Sequence, residues 1–387
     1  MVLSFIVYTL LLLLSLKMAI NYSKLSYSSV RFTNPNIIGI ILIYSIVCGL
    51  RYDVGVDYLS YWNIYDDIYR FKCSSELNLQ EPGWSLFTRF FAEHRLHFSL
   101  YFTVIAYIQI FLIIASFKKY PQLLPYVIWA FYCLWFSFSQ NILRQSIIVF
   151  LFLYLTMNIN QIKTPIYIVI ALFAILIHKS AFIIILLYPF IKIKTTLPKH
   201  THIFAFLYVL LSILGQAADL FQILLKIPYL ETILSVTQFD FYLTSNSMDQ
   251  GMDRGVGLGF IMKILTNVVL IILSNRKYYK GSIKNIGTFF WLYYTSICIS
   301  ALAPTSILLG RPLLYLSILG IPLYVQILYQ NMKNMGFIRI TSTPYLLIQN
   351  KKNIFLSLII IFSVTVLFYM GNVVKPEGGN MEYHLCL

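Results

Sequence analysis

Apolar runs close to the length that spans a bilayer follow one another along this chain, separated by short polar stretches. They fall at about 2–20, 36–50, 98–117, 121–138, 141–158, 165–177, 180–191, 201–224, 258–274, 285–303, 307–329 and 354–371. In hydrocarbon a backbone N–H or C=O finds no partner outside its own chain, so such runs must be helices. Only 11% of the 387 residues are charged and 59% are hydrophobic, against about 25% charged in a soluble domain. The expected fold class is therefore all-α: a polytopic integral membrane helical bundle of about 10–12 transmembrane segments. No Gly/Ser linker, low-complexity tract or repeat divides it, and 1–387 reads as a single membrane domain. The opening run Val2–Leu16 has no basic residue before it and no small-residue cleavage site after it, so it reads as a first transmembrane helix.

The formal net charge of +15 is spread over short loops between apolar runs, the pattern of a topology signal; nucleic-acid binding is not expected. Lys17, Lys24 and Arg31 share a loop without an acidic residue, which places it in the cytoplasm. The same holds for Lys118–Lys119, Lys163, Lys192–Lys194–Lys199, Arg276–Lys277–Lys280–Lys284 and Lys333–Arg339–Lys351–Lys352. The outer side then receives loops 51–97 and 225–257 and the tail from 372, with every acidic residue except Asp219. Lys163 and Lys192 both fall inside, which requires two short helices with an outward turn at His178-Lys179-Ser180; one tilted helix over 164–191 is the alternative.

The cysteines (Cys48, Cys73, Cys133, Cys298, Cys386) are dispersed, and neither a metal site nor a disulfide framework is read from them. The arginines are more informative. Arg51, Arg70, Arg89, Arg95, Arg144, Arg254 and Arg311 fall on the outer side, while most lysines fall inside. The planar fork of arginine suits phosphate oxygens. Arg144 and Arg311 lie just within apolar segments, where a cation is costly and marks a functional candidate. Each also reads as a snorkelling side chain or a carboxylate's partner; the two together favour an anion site.

The densest polar cluster runs from Cys48 to Tyr61 and contains Arg51, Asp53, Gly55, Asp57, Tyr58 and Tyr61. If helical, it puts Asp53 and Asp57 on one face, with Tyr61 a turn further on. Carboxylates and tyrosines suit a polyhydroxylated ligand; they equally suit an interfacial cap with tyrosines in the aromatic belt. The pattern Gly49-Leu50-Arg51-x-Asp53-x-Gly55-x-Asp57-Tyr58-x-x-Tyr61 resembles the signature of the EpsG-like branch of Wzy-type polysaccharide polymerases. The resemblance continues in Glu81-Pro82-Gly83-Trp84, Asn141-x-x-Arg144-Gln145, Ile177-His178-x-Ser180-Ala181 and Gly310-Arg311, in family order across most of the chain. Val56 departs from it, standing where the family commonly has a small polar residue.

The resemblance implies an integral-membrane glycosyltransferase with a C-type glycosyltransferase-like fold. It would polymerise undecaprenyl-pyrophosphate-linked oligosaccharide repeats on the periplasmic face of a bacterial inner membrane, for O-antigen, capsule or exopolysaccharide. Its partners would be the lipid-linked glycan donor and acceptor, membrane lipid, a flippase and a chain-length regulator. No cofactor and no metal are expected. His178, Asp53 and Asp57 are the unranked candidates for the base that aligns the acceptor hydroxyl. Arg51, Arg144 and Arg311 would meet the charge on the leaving pyrophosphate, and Tyr58, Tyr61, Glu81, Trp84, Gln145 and Arg254 complete the expected substrate-binding set. The glycine-rich stretch 249–259 reads as a mobile gate or a plain loop. The rival readings are a flippase or transporter of the same repeat, an O-antigen ligase, or a polyprenyl-phosphate sugar transferase using Asp66-Asp67 as a metal-binding pair.

Overall fold

The computed structural model describes residues 2–25, 27–55, 57–71, 81–218, 257–277, 279, 281–304, 307–337, 344–374 and 384–385. The chain is nearly all helical, and five helical stretches among the described residues are long and apolar enough to cross a bilayer: Val2–Ser23, Phe98–Ser116, Pro121–Asn141, Leu309–Lys333 and Lys351–Val373. Six shorter apolar helices accompany them. It is a polytopic membrane helical protein. Two compact units divide it, one formed by 1–192 with 365–387, the other by 193–364.

In the first unit, α1 (Val2–Ser23), α2 (Pro35–Gly49), α5 (Phe98–Ser116), α6 (Leu124–Asn141) and α7 (Leu143–Met157) form the core. α6 runs antiparallel to both α1 and α7. Tyr8 meets Phe136 while Ser15 bonds Tyr132 across α1 and α6, and both Phe131 and Trp135 reach Phe150 across the tight break between α6 and α7. Buried hydroxyls and amides join the helices, as expected where lipid supplies no hydrogen bonds. Gln109 of α5 donates to the Ser139 carbonyl (2.9 Å) and the Ser146 hydroxyl (2.8 Å), and Tyr44 of α2 bonds Ser139 at 2.9 Å.

The stretch that posed two alternatives folds as two helices. α8 (Thr164–Ile177) ends at His178, whose extended backbone (φ −155°, ψ 123°) breaks the run before α9 (Phe182–Lys192). Tyr167 donates to the Ile184 carbonyl at 3.0 Å and its ring meets Tyr188, so α8 and α9 form an antiparallel hairpin with His178 at its tip.

Loops gather at two ends of this unit. At one, Val30 N donates to Lys118 O (2.7 Å) and Lys192 reaches Ile159 O (3.4 Å), joining loops that are basic. At the other lie residues 51–55 and 57, α3 (Tyr58–Phe71), α4 (Pro82–Glu93) and the break at 141–143. There β1 (Arg51–Tyr52) pairs antiparallel with β2 (His384–Leu385). The described residues of the polar loop 51–97 thus include two amphipathic helices.

The second unit contains α10 (Thr201–Ala217), α11 (Leu258–Leu273), α12 (Ile286–Leu302), α13 (Ile307–Ser317), α14 (Gly320–Phe337) and most of α15 (Pro344–Tyr369). Asn267 on α11 ties four of these together: it donates to Tyr208 (2.8 Å) and accepts from Tyr293 (2.8 Å) and Tyr324 (3.4 Å).

Candidate functional site

Glu81 precedes α4, and Pro82 sits at the first helical position, where a missing N–H costs nothing. The Glu81 carbonyl accepts from Ser85 N (2.9 Å), starting the helix, while its carboxylate turns away from its own helix. The next residue but one allows the helix to approach the α8–α9 hairpin. A Cβ on Gly83 would lie 2.9 Å from the Leu176 carbonyl oxygen, so only glycine lets α4 dock against the end of α8. That docking carries Glu81 to the tip of the hairpin.

There one carboxylate holds two side chains remote in sequence. Oε1 of Glu81 lies 3.0 Å from His178 Nδ1 and accepts from the Lys179 backbone N–H at 3.3 Å. Oε2 accepts from the Arg144 guanidinium in a salt bridge. Arg144 stands in the first turn of α7, placed there by the break at Ile142 (φ −96°, ψ 70°). The Glu81 side chain is 8% exposed, that of His178 14% and that of Arg144 24%, so the acid is enclosed while the base and cation open outward. Burial alone would raise the Glu81 carboxyl, but the His178 hydrogen bond and the Arg144 charge outweigh it and hold the acid at about 2.

An ionised carboxylate only accepts hydrogen bonds. His178 must therefore carry a proton on Nδ1, and in the neutral ring the free lone pair is on Nε2. Tyr61, from α3, brings its phenol within hydrogen-bond reach of Arg144. Burial pushes the Tyr61 phenol up even against the Arg144 charge, with Asp57 adding in the same direction, so Tyr61 stays protonated. Behind it Trp84 packs edge-on to Tyr61 (5.9 Å) and Tyr101 (6.1 Å), forming the floor.

Cation, imidazole and carboxylate thus stand together at the end of the unit that also carries the Arg51–Asp57 segment. The EpsG family model matches residues 36–384, a span that contains all of them. The chain belongs to the EpsG family. This is a Wzy-like polymerase family, and membership points to polysaccharide repeat-unit polymerisation. No curated protein and no solved structure matches the chain.

The remaining expected residues of this EpsG-family chain lie elsewhere. Arg51 is 3% exposed and turns inward: Nη2 donates to the Gln140 carbonyl (3.0 Å), Nη1 to the Gln140 side chain, and the guanidinium lies 4.7 Å from the Phe102 ring centre. It fastens the end of α2 to the end of α6. Tyr58 is buried against Phe102, and Gln145 is fully buried in α7. Asp53 and Asp57 do not share a helical face, because neither 51–55 nor 57 is helical: Asp53 takes φ 49° and Gly55 φ 102°, and α3 begins only at Tyr58. At Gly55 it is this positive φ that calls for glycine; a Cβ there would also crowd the Asn141 side chain and lie 3.2 Å from the Gln140 carbonyl oxygen. Both aspartates are half-buried, with Asp57 nearer the cluster through Tyr61. Arg311 lies half-buried on α13 in the second unit. Arg254 and most of the glycine-rich stretch lie outside the described residues. Asp66 is engaged by Arg70 one turn on, at 2.7 Å. Among the described residues no three His, Cys, Asp or Glu side chains converge as metal ligands. The sequence reading missed the Lys179 backbone N–H, a donor created by the helix break, and Gln140, whose role appears only once Arg51 is seen to turn inward.

Proposed function

We propose that the protein joins undecaprenyl-pyrophosphate-linked oligosaccharide repeats at the periplasmic face of a bacterial inner membrane. The growing chain passes from its lipid carrier to the non-reducing end of a new repeat. Supporting this is one observation above others: within a polymerase family, a single carboxylate orients both an arginine suited to phosphate and a histidine with an accepting Nε2.

In the proposed step the acceptor hydroxyl oxygen bonds the anomeric carbon as that carbon's bond to the pyrophosphate oxygen breaks. The bonding pair leaves with the lipid pyrophosphate, where Arg144 meets the developing charge. The hydroxyl proton passes to His178 Nε2, and Glu81 stabilises the imidazolium that forms. Tyr61 and Asp57 flank the glycan, and both units act as one membrane domain.

The test is deletion of the gene in its host, complementation with wild type, Arg144→Ala, His178→Ala or Glu81→Gln, and electrophoresis of the surface glycan. A ladder that collapses to a single repeat and is restored by wild type alone supports polymerisation. Complete loss of surface repeats on deletion points to flipping or ligation instead.

A further inference from the structure

The second unit carries a pocket with no part in the chemistry above. Residues 193–200, between α9 and α10, run as a non-helical segment held on both sides. Thr195 N donates to the Thr288 hydroxyl (3.3 Å), and Trp291 Nε1 donates to the Thr196 carbonyl (3.0 Å). Arg276 N donates to Pro198 O (3.0 Å), and the Asn275 side-chain amide to Lys199 O (2.8 Å). Between this segment, the end of α11 and the start of α12 opens a cavity of about 560 Å³, lined by Lys194, Lys199, His200 and Arg276 together with Phe204 and Trp291.

We propose that this pocket binds the phosphate of an acidic phospholipid headgroup. Residues 193–218 and 257–364 contain no Asp or Glu, so among the described residues of this unit no carboxylate faces Lys194, Lys199 or Arg276. Lys194, Lys199, His200 and Arg276 are all exposed, while the backbone that carries them is fixed. A topology signal needs charge on a loop; it needs neither a pinned segment nor a cavity with an arginine fork. The place fits a lipid. The pocket lies where membrane helices end, on loops that the basic bias assigns to the cytoplasmic side, where acidic headgroups attract Lys and Arg. Trp291 and Phe204 meet edge-to-face at 5.0 Å, the aromatic pairing typical of an interface, and Ile203 and Phe206 present exposed apolar surface along α10 for acyl chains.

Native mass spectrometry of the full chain, released from nanodiscs of phosphatidylcholine mixed with phosphatidylglycerol, tests this. Wild type retains phosphatidylglycerol over phosphatidylcholine by about tenfold. Lys199→Ala/Arg276→Ala, both exposed positions, lowers that preference toward parity with an unchanged melting temperature. Lys118→Ala/Lys119→Ala removes the same charge from another basic loop and leaves it intact. Equal retention of the two lipids by wild type overturns the proposal, as does an equal loss in both double variants, which would mean bulk surface charge. Displacement of the lipid by millimolar inorganic phosphate overturns the assignment to a headgroup. None of these readouts depends on polymerisation, so the pocket and the proposed reaction stand or fall separately.

Discussion

His178 Nδ1 and Glu81 Oε1 stand 3.0 Å apart, although 97 positions separate the two residues. The contact fixes the tautomer of the imidazole, because the carboxylate is held ionised at about 2. Its other oxygen holds Arg144, so one acid orients both groups that the proposed reaction needs.

Glu81→Gln keeps the size and removes the charge. The amide can present its nitrogen to His178 and hold the wrong tautomer, and Arg144 loses its counter-ion. Polymer formation from a lipid-linked repeat falls by about 10²- to 10⁴-fold, the usual range for losing an oriented acid–base group. Glu81→Asp recovers part of it.

Arg144→Lys preserves charge but not the fork. Where a planar pair of donors must meet both a carboxylate and a phosphate, lysine is no conservative replacement. Turnover drops to near that of Arg144→Ala, while the amount of protein in the membrane stays close to wild type.

Gly83→Ala is a packing test. The new methyl meets the Leu176 carbonyl at 2.9 Å, and backbone cannot rotate aside as a side chain would. α4 is pushed from α8 at a cost of about 1–3 kcal/mol. A lower melting temperature in detergent accompanies lost polymerisation, though no reacting group has changed.

Arg51→Ala behaves differently from Arg144→Ala. Arg51 bonds Gln140 inside the protein, and its loss leaves buried acceptors unsatisfied at about 1–3 kcal/mol. Yield and melting temperature fall, but activity per folded molecule is retained.

Acid sensitivity follows from Glu81. Its carboxyl lies lower in the folded chain (about 2) than in an unfolded one (about 4.3), so its stabilisation is complete above the unfolded value and is lost as pH falls through the folded one. The gap in melting temperature between wild type and Glu81→Gln is therefore constant from neutral pH to about 5 and closes between about 4.3 and about 2.

Much of the fold is legible because lipid leaves little choice: apolar runs become helices, and basic loops collect at one end of the first unit. The break at His178 could be read from a polar triplet between two apolar runs with lysines at both far ends. Glu81, Arg144 and His178 could be picked out singly, each as a polar residue in a short motif. That they meet could not be read, since it depends on Gly83 closing α4 onto Leu176, a contact between distant segments with no local signal. The Asp53–Asp57 face failed because positive φ at Asp53 and Gly55 replaces the helix. That Arg51 turns inward could not be read either, because sequence does not show that Gln140, at the end of α6, offers it two acceptors.

The most direct test is reconstitution of the purified protein in liposomes with a pyrophosphate-linked repeat, following glycan length and release of undecaprenyl pyrophosphate together. The account predicts a ladder of lengthening glycan with one lipid pyrophosphate released per bond formed, lost in His178→Ala and Arg144→Ala. Movement of the lipid-linked repeat across the bilayer without a new glycosidic bond, or an undiminished ladder from either variant, would contradict it.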